Sequence, residues 1–358
     1  MSAGAPLRVV AWSTGNVGRH ALAGIDARPD LELVGLWVSN PAKVGQDAGT
    51  LAGLGRELGI TATGSLADVL ALAPDCVVHT AMADDRLFEA LADLEALLRA
   101  GINVVSSGPV FLQYPSGNAE ALADGVRKAA ADGGASLFVN GIDPGFANDA
   151  LALAVTGISE RIEQVRCMEI CNYATYDQGM IVFDVMGLGR SMDDVPMLLQ
   201  PGILTMAWGS VVYQLAAGLD VELDAIEEFY ERLPAPEAFD ISSGRVEQGT
   251  VAGLRFEVRG MRAGKAVCVL EHVTRLRDDI GPDWPQPAGT SCYRVVVTGE
   301  PNYTVDLQLL GTDGDHNTAG LKATAMRLVN AIPAVVAGPA GLLTALDLPM
   351  ITGRGLVR

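Results

Sequence analysis

Near the start of the chain, Ser13-Thr14-Gly15-Asn16-Val17-Gly18 have the types and spacing to hold a pyrophosphate. The form is S-x-G-x-x-G, with Ser13 where the dinucleotide-binding fingerprint usually has its first glycine. Gly15 lets the backbone approach the phosphates. Gly18 lets the following helix pack closely on the preceding strand, and the N–H groups at the helix start supply donors. Two cations lie nearby in sequence, Arg19 in the first turn of that helix and Lys43 shortly after the second strand. That strand ends at Ser39-Asn40, where an NAD-preferring protein carries an Asp or Glu for the ribose hydroxyls. A missing carboxylate removes repulsion from a 2′-phosphate, so the pattern predicts NADP(H), with NAD(H) as the alternative. A solvated loop lysine is the other reading of Lys43. A methyltransferase also has a glycine turn after its first strand, but it wants an acid where Ser39-Asn40 stand.

The elements that must position this turn can be read on either side of it. Leu7–Trp12 is a short apolar run that predicts a buried strand, and Asn16 opens a helix with Val17, His20, Ala21, Gly24 and Ile25 on one stripe. Further strands are predicted over Leu31–Val38, Thr61–Thr63, Asp75–Ala81, Ile102–Ser107 and Ser136–Ile142. Helices alternate with them: one capped by Ser65 and running to Leu72, one from Asp84-Asp85 to Ala100, one from Pro115–Gly117 to Ala131, and Ala147–Ile158. This alternation predicts an α/β fold, a Rossmann doubly wound parallel sheet spanning 1–150. Ligands on such sheets bind at the carboxyl ends of the strands. The cofactor-binding candidates are therefore Ser13, Thr14, Gly15, Asn16, Val17, Arg19, Ser39, Asn40, Lys43, His79, Thr80, Ala81, Ser106, Ser107, Gly108, Asn140, Asp143 and Pro144. The Ser106-Ser107-Gly108 turn is expected beside the nicotinamide.

After Ser159 the pattern changes. Gln164–Tyr173 reads as a strand, Met180–Gly189 as helical at first, and Pro201–Gly218 as a long apolar helix. Four strand-like runs follow, Gly249–Gly260, Ala266–Arg277, Ser291–Thr298 and Tyr303–Leu309. A second, α+β domain with a mixed or antiparallel sheet is thus expected over 151–317. Leu321–Leu346 is again helical and apolar, so 318–358 is expected to pack back on the first domain, with substrate held in the cleft between the two. A sheet face more apolar than one helix can cover predicts a homodimer.

The 358 residues are 49% hydrophobic and 19% charged, with a formal net charge of −18. That charge argues against nucleic acid and anionic membrane as partners. No apolar run reaches the ~18–20 uncharged residues of a membrane span. No basic segment followed by an apolar core opens the chain, so a cytoplasmic protein is expected. The cysteines, Cys76, Cys167, Cys171, Cys268 and Cys292, form no C-x-x-C and read as buried reduced thiols. The histidines are scattered without metal-ligand spacing, so no metal is expected.

Five stretches carry a resemblance. They are W-S-T-G-N-V-G-R at 12–19, V-S-N-P-A-K-V-G-Q-D-A-G at 38–49, N-G-I-D-P-G-F-A-N-D at 140–149, A-T-A-M-R-L-V-N-A-I-P at 323–333 and D-L-P at 347–349. The chain resembles the dihydrodipicolinate reductase-like oxidoreductases, and within them 2,4-diaminopentanoate dehydrogenase and the native amine dehydrogenases. The resemblance implies a Rossmann domain, a dimerising α+β domain, NADP(H) or NAD(H), and hydride transfer to an imine made from a ketone or aldehyde and ammonia. One departure stands out. The amine-forming members carry a Glu after the fifth strand, before a Tyr-Pro pair. Here 106–115 reads S-S-G-P-V-F-L-Q-Y-P, with Tyr114-Pro115 in place and no carboxylate in Gly108-Pro109-Val110. Either the acid comes from elsewhere or the chemistry differs.

A carbonyl or imine needs a proton donor within hydrogen-bond reach. Tyr173, Tyr176, Glu169 and His272 are the candidates in the second domain, with Tyr173 and His272 foremost; in the resembling family, aromatic residues of the Tyr173 stretch line the substrate pocket. Asp143 and Asp149 follow the sixth strand, and Asp149 reads as a structural Asp. Phe111, Phe146, Met180, Ile181 and Phe183 suggest an apolar pocket, and no arginine pair is evident there to clamp a carboxylate, so neutral ketones or aldehydes are expected. The expected activity is NADP-dependent reductive amination with ammonia and its reverse. The alternatives are an imine or carbonyl reductase without ammonia use, and a non-catalytic NADP(H) sensor.

Overall fold

The computed structural model describes residues 5–83 and 85–357, and Asn118 by its backbone. Asp84, named above at a helix start, lies outside the described residues. The chain divides into two compact units, Met1–Ile142 with Leu321–Arg358, and Asp143–Gly320. The boundary falls before the D-P-G-F turn, so Asp143 and Pro144 belong to the second unit.

The first unit alternates strands and helices: β1 (Leu7–Trp12), α1 (Asn16–Asp26), β2 (Leu31–Trp37), α2 (Ala48–Ala52), β3 (Ala62–Thr63), α3 (Leu66–Ala71), β4 (Cys76–His79), α4 (Leu87–Arg99), β5 (Asn103–Ser106), α5 (Glu120–Gly133) and β6 (Ser136–Val139). Local chemistry sets several boundaries. Asp47 caps α2 through the Gly49 and Thr50 N–H groups, Ser65 caps α3 through Asp68 N–H, and Gly134 ends α5 in the left-handed region. The buried stripe of α1 is Gly18, Ala21, Leu22 and Ile25. It is offset from the predicted stripe because Gly18, not Val17, is pressed against the turn.

The second unit holds α6 (Ala150–Thr156), β7 (Arg161–Asn172), α7 (Ile203–Gly218), β8 (Ala225–Pro234), β9 (Phe239–Ile241), β10 (Gly244–Val246), β11 (Val251–Arg262), β12 (Lys265–Arg275), β13 (Cys292–Glu300) and β14 (Tyr303–Leu307). Helix α8 (His316–Val336) and strand β15 (Gly341–Leu343) complete the chain. The run 321–346, expected to be one helix, ends as helix at Val336. Its tail, beyond Gly338-Pro339, becomes β15, which pairs in parallel with β6.

The first unit's sheet has the order β15-β6-β5-β4-β1-β2-β3, parallel throughout, with the strand order switching between β1 and β4. Neighbouring residues of a strand feed opposite faces. Val9, Ala11, Val78 and Phe138 pack with Leu22 and Ile25 of α1 and Leu328 and Ile332 of α8, while Val10, Val77, Val104 and Leu137 pack with Leu94 and Leu98 of α4 and Val126 of α5.

The second sheet has the order β14-β13-β7-β12-β11-β8 and is mixed, since only β7 and β12 run parallel. Its β8 was not among the expected strands, because its charged, half-exposed residues hide the alternation. One face packs Val165, Cys167, Phe256, Val258 and Leu270 with Leu204, Val211 and Leu215 of α7. The opposite face is not the continuous apolar surface that motivated a dimer. Its centre is an ion network in which Arg166, Arg255 and Arg259 surround Glu257 and Glu271. Among the described residues no helix is long and apolar enough to cross a membrane.

Candidate functional site

In the first unit, Ser13–Gly18 forms the turn between β1 and α1. Ser13 has φ 102°, a region favoured by glycine, which explains why the fingerprint has glycine at this position. Its hydroxyl accepts from Gly15 N–H at 3.2 Å. A Cβ on Gly18 would stand 2.4 Å from the Ser13 carbonyl oxygen and 2.9 Å from Thr80 Oγ1, so only glycine lets α1 approach the turn this closely. Gly15 is exposed and offers no capping side chain, and the first turn of α1 has no acid. The positive end of the helix is therefore open to an anion, and the cradle fits a pyrophosphate.

The remaining cofactor candidates occupy different settings. Lys43 Nζ donates to Thr14 Oγ1 at 2.8 Å, which draws the lysine onto the turn. Arg19 bonds Asn16 Oδ1 at 3.0 Å. Ser39 and Asn40 are exposed, and Asn40 Oδ1 accepts from Ala42 N–H. Thr80 donates to the Trp12 carbonyl at 3.1 Å, and Ala81 is buried beside it in sequence. Ser106 Oγ donates to the Gly108 carbonyl at 2.5 Å, and Ser107 N–H bonds the His79 carbonyl. The His79 ring is wholly buried against Trp12, with Nδ1 3.1 Å from Ser106 Oγ, and burial pushes its pKa down to about 3. Its side chain is thus a neutral core group, and only its main chain lies at the strand end. Asn140 Oδ1 accepts from Arg327 Nε at 2.9 Å. Phe111, expected in a substrate pocket, packs in the first unit's core.

In the second unit, strand register does what no local spacing reveals. Tyr293 of β13, Glu169 of β7, His272 of β12 and Phe256 of β11 pair one after another and form a row across four strands. Phe256 stacks on the imidazole at 4.7 Å and 11°, and Trp208 of α7 meets it edge-on at 4.8 Å. His272 Nε2 lies 3.2 Å from Asp143 Oδ1, and its Nδ1 lies 3.8 Å from Glu169 Oε1. Trp208 Nε1 donates to the same Asp143 oxygen at 3.2 Å. Tyr173 donates its hydroxyl to Glu169 Oε1 at 2.5 Å and stacks on Tyr176. Pro144 follows Asp143 in sequence and is half-buried.

Glu169 is 5% exposed and His272 3%, so their charges act in a weakly screened setting. Burial opposes protonation of His272, but the Asp143 and Glu169 carboxylates outweigh it and hold its pKa above the ordinary imidazole value. Burial raises the Glu169 pKa and Asp143 adds to the rise; His272 and the hydroxyls of Tyr173 and Tyr293 offset only part of it. Burial likewise pushes Tyr173 well above the ordinary phenol value, with the Glu169 charge assisting. Asp143, Glu169 and His272 present ligand atoms within 4.8 Å of one another, the spacing of a metal site. The ring stands between the two carboxylates, one nitrogen toward each. With one carboxylate on each ring nitrogen, the arrangement fits proton exchange.

The structure brings the sequence candidates Tyr173, His272 and Glu169 together and adds Asp143, grouped earlier with the cofactor residues. Tyr176 stacks on Tyr173, while Asp149 caps the Ala150 N–H of α6. Asp143 and His272 are 129 residues apart, so only the fold could reveal their pairing.

A parallel doubly wound sheet with a glycine cradle, joined in one chain to a mixed sheet bearing a buried acid–imidazole–acid row, defines a two-unit protein of the dinucleotide-binding fold class. Residues 146–355 match the 2,4-diaminopentanoate dehydrogenase C-terminal domain family. The chain is 42% identical over 349 residues to an amine dehydrogenase of Streptomyces virginiae, covering 96% of each. It is 24% identical over 334 residues to 2,4-diaminopentanoate dehydrogenase of Acetoanaerobium sticklandii, covering 86% of this chain and 88% of that one. An amine dehydrogenase from Mycobacterium smegmatis has the same fold, with a TM-score of 0.80 at 23% identity over 99% of both chains. GenD2 of gentamicin A biosynthesis, solved with NAD, is more distant in fold, with a TM-score of 0.52 at 14% identity over 93% of this chain and 88% of that one. This chain belongs to the family of the amine dehydrogenases and 2,4-diaminopentanoate dehydrogenase, nicotinamide-dependent oxidoreductases.

Proposed function

We propose that this protein is an NADP(H)-dependent amine dehydrogenase. It forms primary amines from small neutral ketones or aldehydes and ammonia, and oxidises such amines in reverse. One observation carries the reading: a chain of this family that lacks a carboxylate after β5 has a buried Asp143–His272–Glu169 row, reached by Tyr173, on its second unit. Groups that hold and move a proton are what imine formation demands of the protein; NADPH, when bound, supplies the hydride. Ser13, Thr14, Gly15, Asn16 and Val17 would hold the pyrophosphate, and Ser106, Ser107 and Gly108 the nicotinamide end. Lys43, drawn to Thr14, and Arg19 would meet the 2′-phosphate, which the exposed Ser39 and Asn40 do not repel. Tyr173 and His272 serve the nitrogen side. The active unit is proposed to be a homodimer through the second unit.

The experiment is NADPH consumption with cyclohexanone or a short aldehyde, with and without high ammonium, beside titrations of NADPH and NADH. Turnover that requires ammonium, with tighter binding of NADPH, is expected. Turnover indifferent to ammonium would make the protein a carbonyl reductase. Cofactor binding without any oxidation would make it a sensor.

A further inference from the structure

We propose that Glu169 is the acid–base group for the substrate nitrogen, replacing the carboxylate absent after β5, and that the Asp143–Glu169–His272 row is a binding site for ammonium and primary alkylammonium ions. The inference rests on the amine dehydrogenase reading and names the group that performs its nitrogen chemistry.

Charge is the first reason. Two carboxylates share one imidazole, so an imidazolium still leaves one negative charge. The groups facing Glu169 are His272 from β12, Asp143 from the turn before α6, Cys171 of β7, Tyr173 just after β7, and Tyr293 of β13. His272 is the one that becomes a cation among these described residues. A buried net negative charge is costly unless paired, and an ammonium ion pairs it. Position is the second reason. Two hydroxyls hydrogen-bond the Glu169 carboxylate, Tyr173 at 2.5 Å and Tyr293, and Tyr173 is itself half-buried beside Tyr176. Asp143 is buried behind the ring, held by Trp208 Nε1, so it acts through His272 as a positioning residue. Burial lifts Glu169 above the ordinary carboxylate range, so it holds a proton more readily than an exposed carboxylate does.

The step balances. Ionised Glu169 takes a proton from ammonium, and the freed ammonia adds to the carbonyl carbon, forming the C–N bond. A proton passes from nitrogen to oxygen to give the neutral carbinolamine. Protonated Glu169 returns its proton to the hydroxyl, the C–O bond breaks, and water leaves behind the iminium ion. Ammonium and ketone thus become iminium and water, and Glu169 ends as it began.

The test compares the wild type with Glu169→Gln and Glu169→Asp in the full chain, each first shown to bind NADPH within about twofold of wild type by fluorescence. Glu169→Gln should lower kcat with ammonium by ~10²–10⁴. Its rate should then follow free ammonia, rising about tenfold per pH unit, whereas the wild type levels off once Glu169 is ionised. Glu169→Asp should recover part of the rate and the wild-type profile. Calorimetry with cyclohexylammonium, needing no turnover, should show binding weakened by about 10–100-fold in Glu169→Gln. An active wild type with Glu169→Gln matching its kcat, pH profile and cyclohexylammonium affinity would overturn the assignment alone. A wild type inactive with every carbonyl and ammonium would overturn the amine dehydrogenase reading beneath it.

Discussion

The six-stranded sheet buries a carboxylate pair on each face, and the two are treated in opposite ways. Glu257 and Glu271 sit directly opposite each other on β11 and β12, 2% and 1% exposed, with Arg166, Arg255 and Arg259 around them. One residue further along β12, on the other face, His272 faces Glu169 with Asp143 behind it. Three guanidinium groups, which never lose their charge, overcome the burial of Glu257 and hold its pKa below the ordinary value. One imidazole, which can lose its charge, leaves Glu169 above it. The permanent cations make a fixed brace. The titratable one makes a pair that can pass a proton.

The largest difference should appear when the two faces are stripped of their cations. His272→Ala leaves Asp143 and Glu169 without the group between them, and kcat with ammonium should fall by ~10²–10⁴. Tyr173→Phe removes only the hydroxyl on Glu169 and should cost less. Steady-state kinetics on both variants, with NADPH binding as the folding control, checks this. Full activity in both would move the chemistry away from this face.

The same contrast shows what a sequence discloses. The phosphate turn was legible because strand, glycines and helix are contiguous, and its one irregularity, Ser13 at φ 102°, stands where the pattern broke. The doubly wound sheet was legible for the same reason, since each β–α step is local. β15 was not, because three residues gain strand identity only by pairing with β6. His79 looked like a rim residue because it ends an apolar strand; alternation in fact turns its ring into the core, and only tertiary packing fixes which way. Tyr173 and His272 could be named as types suited to proton transfer. That Glu169 lies between them, and that Asp143 backs His272, needed the register of four strands. The face expected to be apolar hid its charges for a related reason. Arg255 and Arg259 flank Glu257 on its own strand, but that Glu271 and Arg166 join them needed the pairing of β11, β12 and β7.

Removing a carboxylate from the brace should leave the chemistry alone and cost stability. Glu257→Gln strands Arg259 and Arg255 beside Glu271, but these arginines are 32% and 22% exposed, so water compensates in part. A loss of about 1–3 kcal/mol in unfolding free energy is expected, with kcat within about twofold of wild type. Urea unfolding and steady-state kinetics measure the two. A variant that keeps its stability and loses kcat would reverse the roles assigned to the faces.

The smallest effect, and the sharpest test of the contrast, is its dependence on pH. The folded pKa of Glu257 is lowered, so its contribution to stability is present above its unfolded pKa and is lost as pH falls through the folded value. The folded pKa values of Glu169 and His272 are raised. Their contributions are present below the unfolded values and are lost as pH rises through the folded ones. The brace therefore weakens in acid, and the proton-passing pair weakens from mildly acidic pH upward. Melting temperature measured from about pH 2 to 9 should show this as two separate limbs. Glu257→Gln should flatten the acid limb alone. Glu169→Gln should remove part of the upper limb and leave the acid limb in place. If both variants flattened the same limb, the two carboxylate pairs would be titrating alike, and the guanidinium-against-imidazole distinction would not govern them.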